Sequence, residues 1–185
     1  MRKLIQENTN GRKVFILFIL TNILYVFMLT ISIPKVMSFS GGMKLLDMMP
    51  TGYSVDYVNS LLSVLGEKGR NAYLSNQLPL DMVYPLLFAI TYSLILAYFL
   101  KNLKKLDSYL FYFCLLPLFS GFFDYCENIG IITILNTYPN NSDTLAQITN
   151  IFSILKSFFT TIYFITLLGT LIVMGERRLF PKNNK

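Results

Sequence analysis

The stretch Phe122 to Ile132 reads FFDYCENIGII and sets Asp124, Glu127 and Asn128 inside one of the most apolar parts of the chain. On a helix these positions stand at i, i+3 and i+4, so all three polar groups share one face. A pair of carboxylates in such a setting could act as acid and base, or could hold a proton or a cation. A second apolar stretch carries Lys156, on a stripe formed by Thr149, Ser153, Lys156, Thr160 and Tyr163. A third opens with Asp81, followed on its face by Tyr84, Pro85, Phe88 and Tyr92.

Charges placed in hydrocarbon cost about 2.5–3.5 kcal/mol each on insertion scales, so they should turn inward and pair. The sequence therefore predicts one polar cluster of Asp124, Glu127, Asn128, Lys156 and Asp81. Asp124, Glu127 and Lys156 are the candidate catalytic residues, the two acids as an acid–base pair and Lys156 or Arg70 steadying a phosphate or oxyanion. Asn128, Asp81, Arg70, Tyr84 and Tyr92 are the candidate ligand-binding residues. Three carboxylates then face one lysine, an imbalance that Arg70, a proton or a bound cation would relieve. Each residue also has a plainer role. Glu127 and Lys156 could be an ion pair that fixes which helices face each other. Asp81 would complement its helix dipole, Asn128 would bond between helices, and Arg70 would be a solvated loop charge.

Histidine is absent from the chain, which excludes His-ligated zinc or haem and imidazole acid–base chemistry. Cys114 and Cys126 fall in one predicted helix, about 18 Å apart along its axis, too far to bridge. No metal site and no cofactor is predicted.

The elements that must position these residues are membrane helices. The chain has 185 residues, of which 54% are hydrophobic and only 14% charged, with a mean hydropathy of +0.51. A hydrocarbon core about 30 Å thick needs roughly 20 helical residues, and four runs qualify. They cover about 14–33, 80–100, 108–135 and 148–174, the first closed by Pro34 and Lys35. The first run is too long for a signal-peptide core. Counted from their outer ends, the third and fourth spans place Glu127 and Lys156 at a similar depth, roughly 12 Å, so that they can meet.

Lys and Arg are retained on the cytoplasmic side. Four precede the first span, three lie between Lys101 and Asp107, and four follow Met174 (Arg177, Arg178, Lys182 and Lys185). The long segment 34–79 carries only four, offset by Asp47, Asp56 and Glu67. Both termini are thus expected in the cytoplasm and segment 34–79 outside, in the cell membrane. The net charge of +6 reflects this anchoring. It forms no continuous basic stripe for nucleic acid, so no nucleic-acid partner is expected.

Within the outer segment, Val55, Val58, Leu61, Leu62 and Leu65 mark one face of a short amphipathic helix over 54–65, with Ser54 as its cap and Gly66 as its stop. Tyr53, Tyr73, Tyr112, Tyr138 and Tyr163 are expected in interfacial belts. The fold class is therefore an all-α integral membrane protein: a single domain, 1–185, forming a four-helix bundle with one extra amphipathic helix in its first extracytoplasmic loop. That layout resembles claudin-type membrane proteins in topology alone, since the loop has neither paired cysteines nor tryptophan.

Three functions fit these residues. One is a binding or enzymatic site for a lipid-like molecule. A second is a small proton- or cation-linked carrier. The third is a non-catalytic interaction module, with a homo-oligomer or another membrane protein as partner, in which the cluster is structural.

Overall fold

The structure is a computed structural model and describes residues 2–179. Among these residues the regular structure is entirely helical. A short helix, α1 (Arg2–Asn8), leads into α2 (Gly11–Met37). An irregular segment then precedes α3 (Val55–Ala72), and α4 (Leu78–Asn102) follows it through a single wide turn. The last two are α5 (Leu116–Thr137), entered through a tight 3₁₀ stretch at Tyr109–Leu115, and α6 (Asp143–Leu179). Four helical stretches are long and apolar enough to cross a membrane: α2, the α3–α4 rod, α5 with its 3₁₀ entry, and α6. Their outward faces carry large apolar side chains, among them Phe15, Ile23, Phe122, Phe158 and Ile165, which water would not tolerate in such number.

Proline explains how these helices depart from the simple reading of the sequence. Pro34 does not end the first long helix. The helix loosens into a π-turn at Met28–Ser32, then resumes through Pro34 to Met37. A proline ring clashes with the carbonyl four residues earlier, and a wide turn just before it gives that carbonyl room. The same device recurs before Pro79, where Tyr73–Gln77 form a π-turn. Segment 66–79 is accordingly no loop. Gly66 adopts φ 60°, ψ −176° and kinks the helix, which then continues to Ala72. The third helical stretch enters as a 3₁₀ turn at Tyr109–Leu115 and becomes an α-helix at Leu116. The fourth is longer at both ends, and the basic residues Lys182 and Lys185 lie outside the described residues.

The long helices pack in chain order. α2 lies on α4, α4 on α5, and α5 on α6, the last pair most extensively. Thr21 and Thr91 share a buried 2.8 Å hydrogen bond between α2 and α4. Phe123 stacks between Phe152 and Phe159 along the α5–α6 seam. Among the described residues, α2 makes no extended contact with α6, so the row of helices stays open between its first and last members.

Two apolar cores result. One joins α3, the segment before it and the adjoining ends of α4, α5 and α6, around Leu61, Leu62, Tyr73 and Ile134. The other lies toward the opposite end, around Leu96, Cys114 and Tyr163. Tyr53, Tyr73 and Tyr163 are thus buried core residues rather than members of an interfacial belt, whereas Tyr112 is exposed. Cys114 and Cys126 are both free thiols.

Candidate functional site

The site begins with a defect in α4. Pro85 has no backbone N–H, so the carbonyl of Asp81 four residues earlier has no helical donor. Asn128 of α5 fills the gap, its side-chain amide donating to Asp81 O at 2.7 Å. α5 can come this close because of Gly121. A Cβ there would stand 2.9 Å from Pro85 O and 3.2 Å from the Ala89 Cβ. On the other side of α5, Gly130 fits against Thr149 of α6 with no room for a side chain.

These close approaches bring the buried charges together. Lys156 Nζ lies 3.2 Å from Asp124 Oδ1 and is also ion-paired with Glu127 Oε2. Glu127 is wholly buried, while the side chains of Asp124 and Lys156 retain 12% and 17% of their exposure. One turn along the same seam, the Ser120 and Thr160 hydroxyls bond at 2.6 Å. A lysine held by two carboxylates in a low-dielectric site offsets much of their desolvation cost, and breaking one partner would leave an uncompensated charge.

The segment before α3 forms a roof. Gly52, at φ 87°, packs so tightly on Asn150 and Ile154 of α6 that no Cβ fits. The adjoining Tyr53 N–H donates to Asn150 Oδ1 at 2.7 Å. Tyr53 itself is buried, and its hydroxyl has no hydrogen-bond partner among the described residues. Burial, reinforced by the Glu127 carboxylate, pushes that hydroxyl well above the usual phenol range, so it stays protonated. Asp47 pins the roof to the helices below. It accepts from the Tyr73 hydroxyl at 2.5 Å and from Gln77 Nε2 at 3.2 Å.

Beneath the roof lies a cavity of about 420 Å³. Its polar wall is made by Asp47, Asp81, Asp124 and Lys156. Ser157 and Thr161 of α6 and Leu29 of α2 stand at the edges of the gap between those two helices. An aromatic wall runs along α2 and α4, where Tyr25 stacks on Tyr84 with ring centroids 5.4 Å apart and Tyr84 leans on Phe88 at 5.9 Å. Asp81 is 5% exposed, and its Oδ2 has no hydrogen-bond partner among the described residues.

The sequence-derived residues therefore divide. Asp124, Glu127 and Lys156 are brought together, Asp81 and Tyr84 join Asp124 and Lys156 on the cavity wall, and Asn128 sits behind it on the Asp81 backbone. Arg70 does not fold in. It donates to Leu62 O at 2.8 Å, four residues before the Gly66 kink, and lies over the Tyr138 ring. Tyr92 is not on the cavity wall either. It packs against Tyr163, whose hydroxyl donates to Tyr92 O at 2.8 Å, in the aromatic layer below. Sequence spacing does not point to Asp47, which lies in a single 3₁₀ turn, Leu46–Met48, with no period to place it. Its signal is a lone acid between two apolar pairs, LLDMM.

Among the described residues, no group of three or more His, Cys, Asp or Glu side chains is arranged to hold a metal ion. No protein-family model, curated protein or solved structure matches the chain.

Proposed function

We propose that this chain is a multi-pass protein of the cell membrane whose cavity binds a lipid-like amphiphile entering between α2 and α6. In this reading residues 1–185 form one domain. The four spans make a bundle with both termini in the cytoplasm, and the segment 38–54 with α3 forms an extracytoplasmic cap above the cavity. The excess of Lys and Arg near the termini and the Lys101–Asp107 connection supports that orientation. The amphipathic face of α3 is turned inward, with Val58, Leu61, Leu62 and Leu65 buried, which suits a cap better than a helix lying on headgroups.

The observation that carries the reading is the cavity's two-sided chemistry at an unsealed edge. The charged groups Asp47, Asp81, Asp124 and Lys156 converge on the cavity, apolar and aromatic side chains of α2 and α4 line it together with the hydroxyls of α5 and α6, and α2 and α6 make no extended contact. Pockets that hold small amphiphiles share this pattern of mostly apolar walls with a few convergent polar groups. Binding is favoured over turnover. Lys156 is engaged by two carboxylates, and the Ser120 hydroxyl is bonded to Thr160 rather than to a base. A carrier is less well supported, because Phe88, Tyr92 and Tyr163 pack together, all buried, beneath the cavity.

Native mass spectrometry of the purified protein tests the proposal. The wild-type chain should retain one amphiphile, and Ser157→Trp, which fills the cavity, should lose it while remaining folded. Equal retention by both proteins would overturn the reading.

A further inference from the structure

Resting on the amphiphile-binding reading above, we infer that the headgroup taken by this cavity is a protonated primary amine. The polar wall presents Asp47, Asp81 and Asp124 against the single cation Lys156. That cation is not free to receive an anion, because Asp124 and the buried Glu127 already neutralise it. A phosphate headgroup would meet carboxylates on several sides. Arg70, the second cation the sequence offers to this site, is held over Tyr138 and on the Leu62 carbonyl. An ammonium group answers each of these features.

Acidic side chains alone would not specify a ligand, and Asp81 supplies the second observation. It is 5% exposed, its Oδ2 is enclosed without a hydrogen-bond partner, and it lines the cavity. A buried carboxylate oxygen left unpaired is costly, and an N–H donor from a charged amine would satisfy it with a short, strong bond. Tyr25 and Tyr84, stacked on each other, line the same cavity as Asp81. The carboxylates are not gathered into a metal-binding group among the described residues, which favours an organic cation whose charge is spread over N–H donors. The apolar remainder of the wall and the gap toward the membrane select an amine that carries an alkyl chain.

The test uses the full chain in phosphatidylcholine nanodiscs and three dodecyl probes with a diazirine at the tail: an amine, a phosphate and an alcohol. Labelling is mapped by mass spectrometry at the cavity edge, near Leu29 and Thr161, against the lipid-facing position Phe122. The amine should label the edge about tenfold more than the phosphate, and excess dodecylamine should displace it where butylamine does not. Asp81→Asn should erase the preference for the amine over the phosphate. Equal or stronger labelling by the phosphate would overturn the headgroup inference and leave the amphiphile reading standing. Displacement by butylamine at the concentration of dodecylamine would make this a site for free amines and overturn the lipid-like ligand. No labelling of the edge above Phe122 by any probe would overturn both. The comparison of headgroups on the wild-type protein does not depend on the variant folding.

Discussion

Asn128 and Pro85 are complementary: the hydrogen bond that Pro85 cannot make to the Asp81 carbonyl is supplied by the Asn128 side chain, at 2.7 Å. A mid-helix proline is thereby converted into a contact between two membrane helices, at the point where Gly121 lets them approach. This relationship fixes where Asp81 faces the cavity, and it makes a prediction with a defined sign.

Asn128→Ala should destabilise the protein by about 1–3 kcal/mol, because the Asp81 carbonyl loses the donor that stands in for the missing Pro85 N–H. Pro85→Ala restores a backbone N–H at the position where the helix would supply one. The double variant should therefore recover part of the loss, which thermal unfolding of the two single variants and the double variant will show. Strict additivity would separate the two residues.

Lys156→Met should cost about 3–5 kcal/mol, since it leaves Asp124 and Glu127 without a counter-charge in the α5–α6 seam, whereas Glu127→Gln leaves Lys156 paired with Asp124 and should cost less. The variant carrying both should be markedly more stable than the sum of the two losses. Thermal unfolding in detergent measures all three, and the residual Asp124–Lys156 contact means that Lys156→Met will be the more damaging single change.

Glycine substitutions should sort by the space around them. Gly121→Val drives a side chain into Pro85 O and Ala89, and overpacking of this kind costs about 1–3 kcal/mol. Gly169 of α6 meets nothing within 4 Å, so Gly169→Ala should be neutral or gain up to about 1 kcal/mol of helix propensity. The contrast is read from melting temperatures in one detergent.

Asp47→Ala removes the acceptor for Tyr73 and Gln77 and should release the roof without unfolding the helices. Hydrogen exchange is expected to rise across residues 44–53 and to stay unchanged in α5. A uniform rise throughout the chain would mean instead that Asp47 supports the whole fold.

The helical period and the lengths of the apolar runs made much of this arrangement legible. Asp124, Glu127 and Asn128 declare a common face by spacing alone, and counting depth from the span ends brings Lys156 level with Glu127. What the sequence hides depends on contacts between segments distant in the chain. Pro34 and Gly66 read as helix ends because local signals say so, yet a π-turn absorbs the first and a kink the second while packing holds the rods together. Arg70 lies close in sequence to the second span, but the carbonyl of Leu62 and the ring of Tyr138 hold it elsewhere. Asp47 has no periodic neighbours, so only the folded roof brings it to the cavity.

The most direct measurement is a crystal structure of the full chain grown from a lipidic mesophase doped with dodecylamine. The account predicts elongated density in the cleft between α2 and α6, with its head end within hydrogen-bond distance of Asp81 Oδ2 and its tail passing between Leu29 and Thr161. A cleft closed by α2 packed directly on α6, with Asp81 satisfied by protein groups alone, would contradict it.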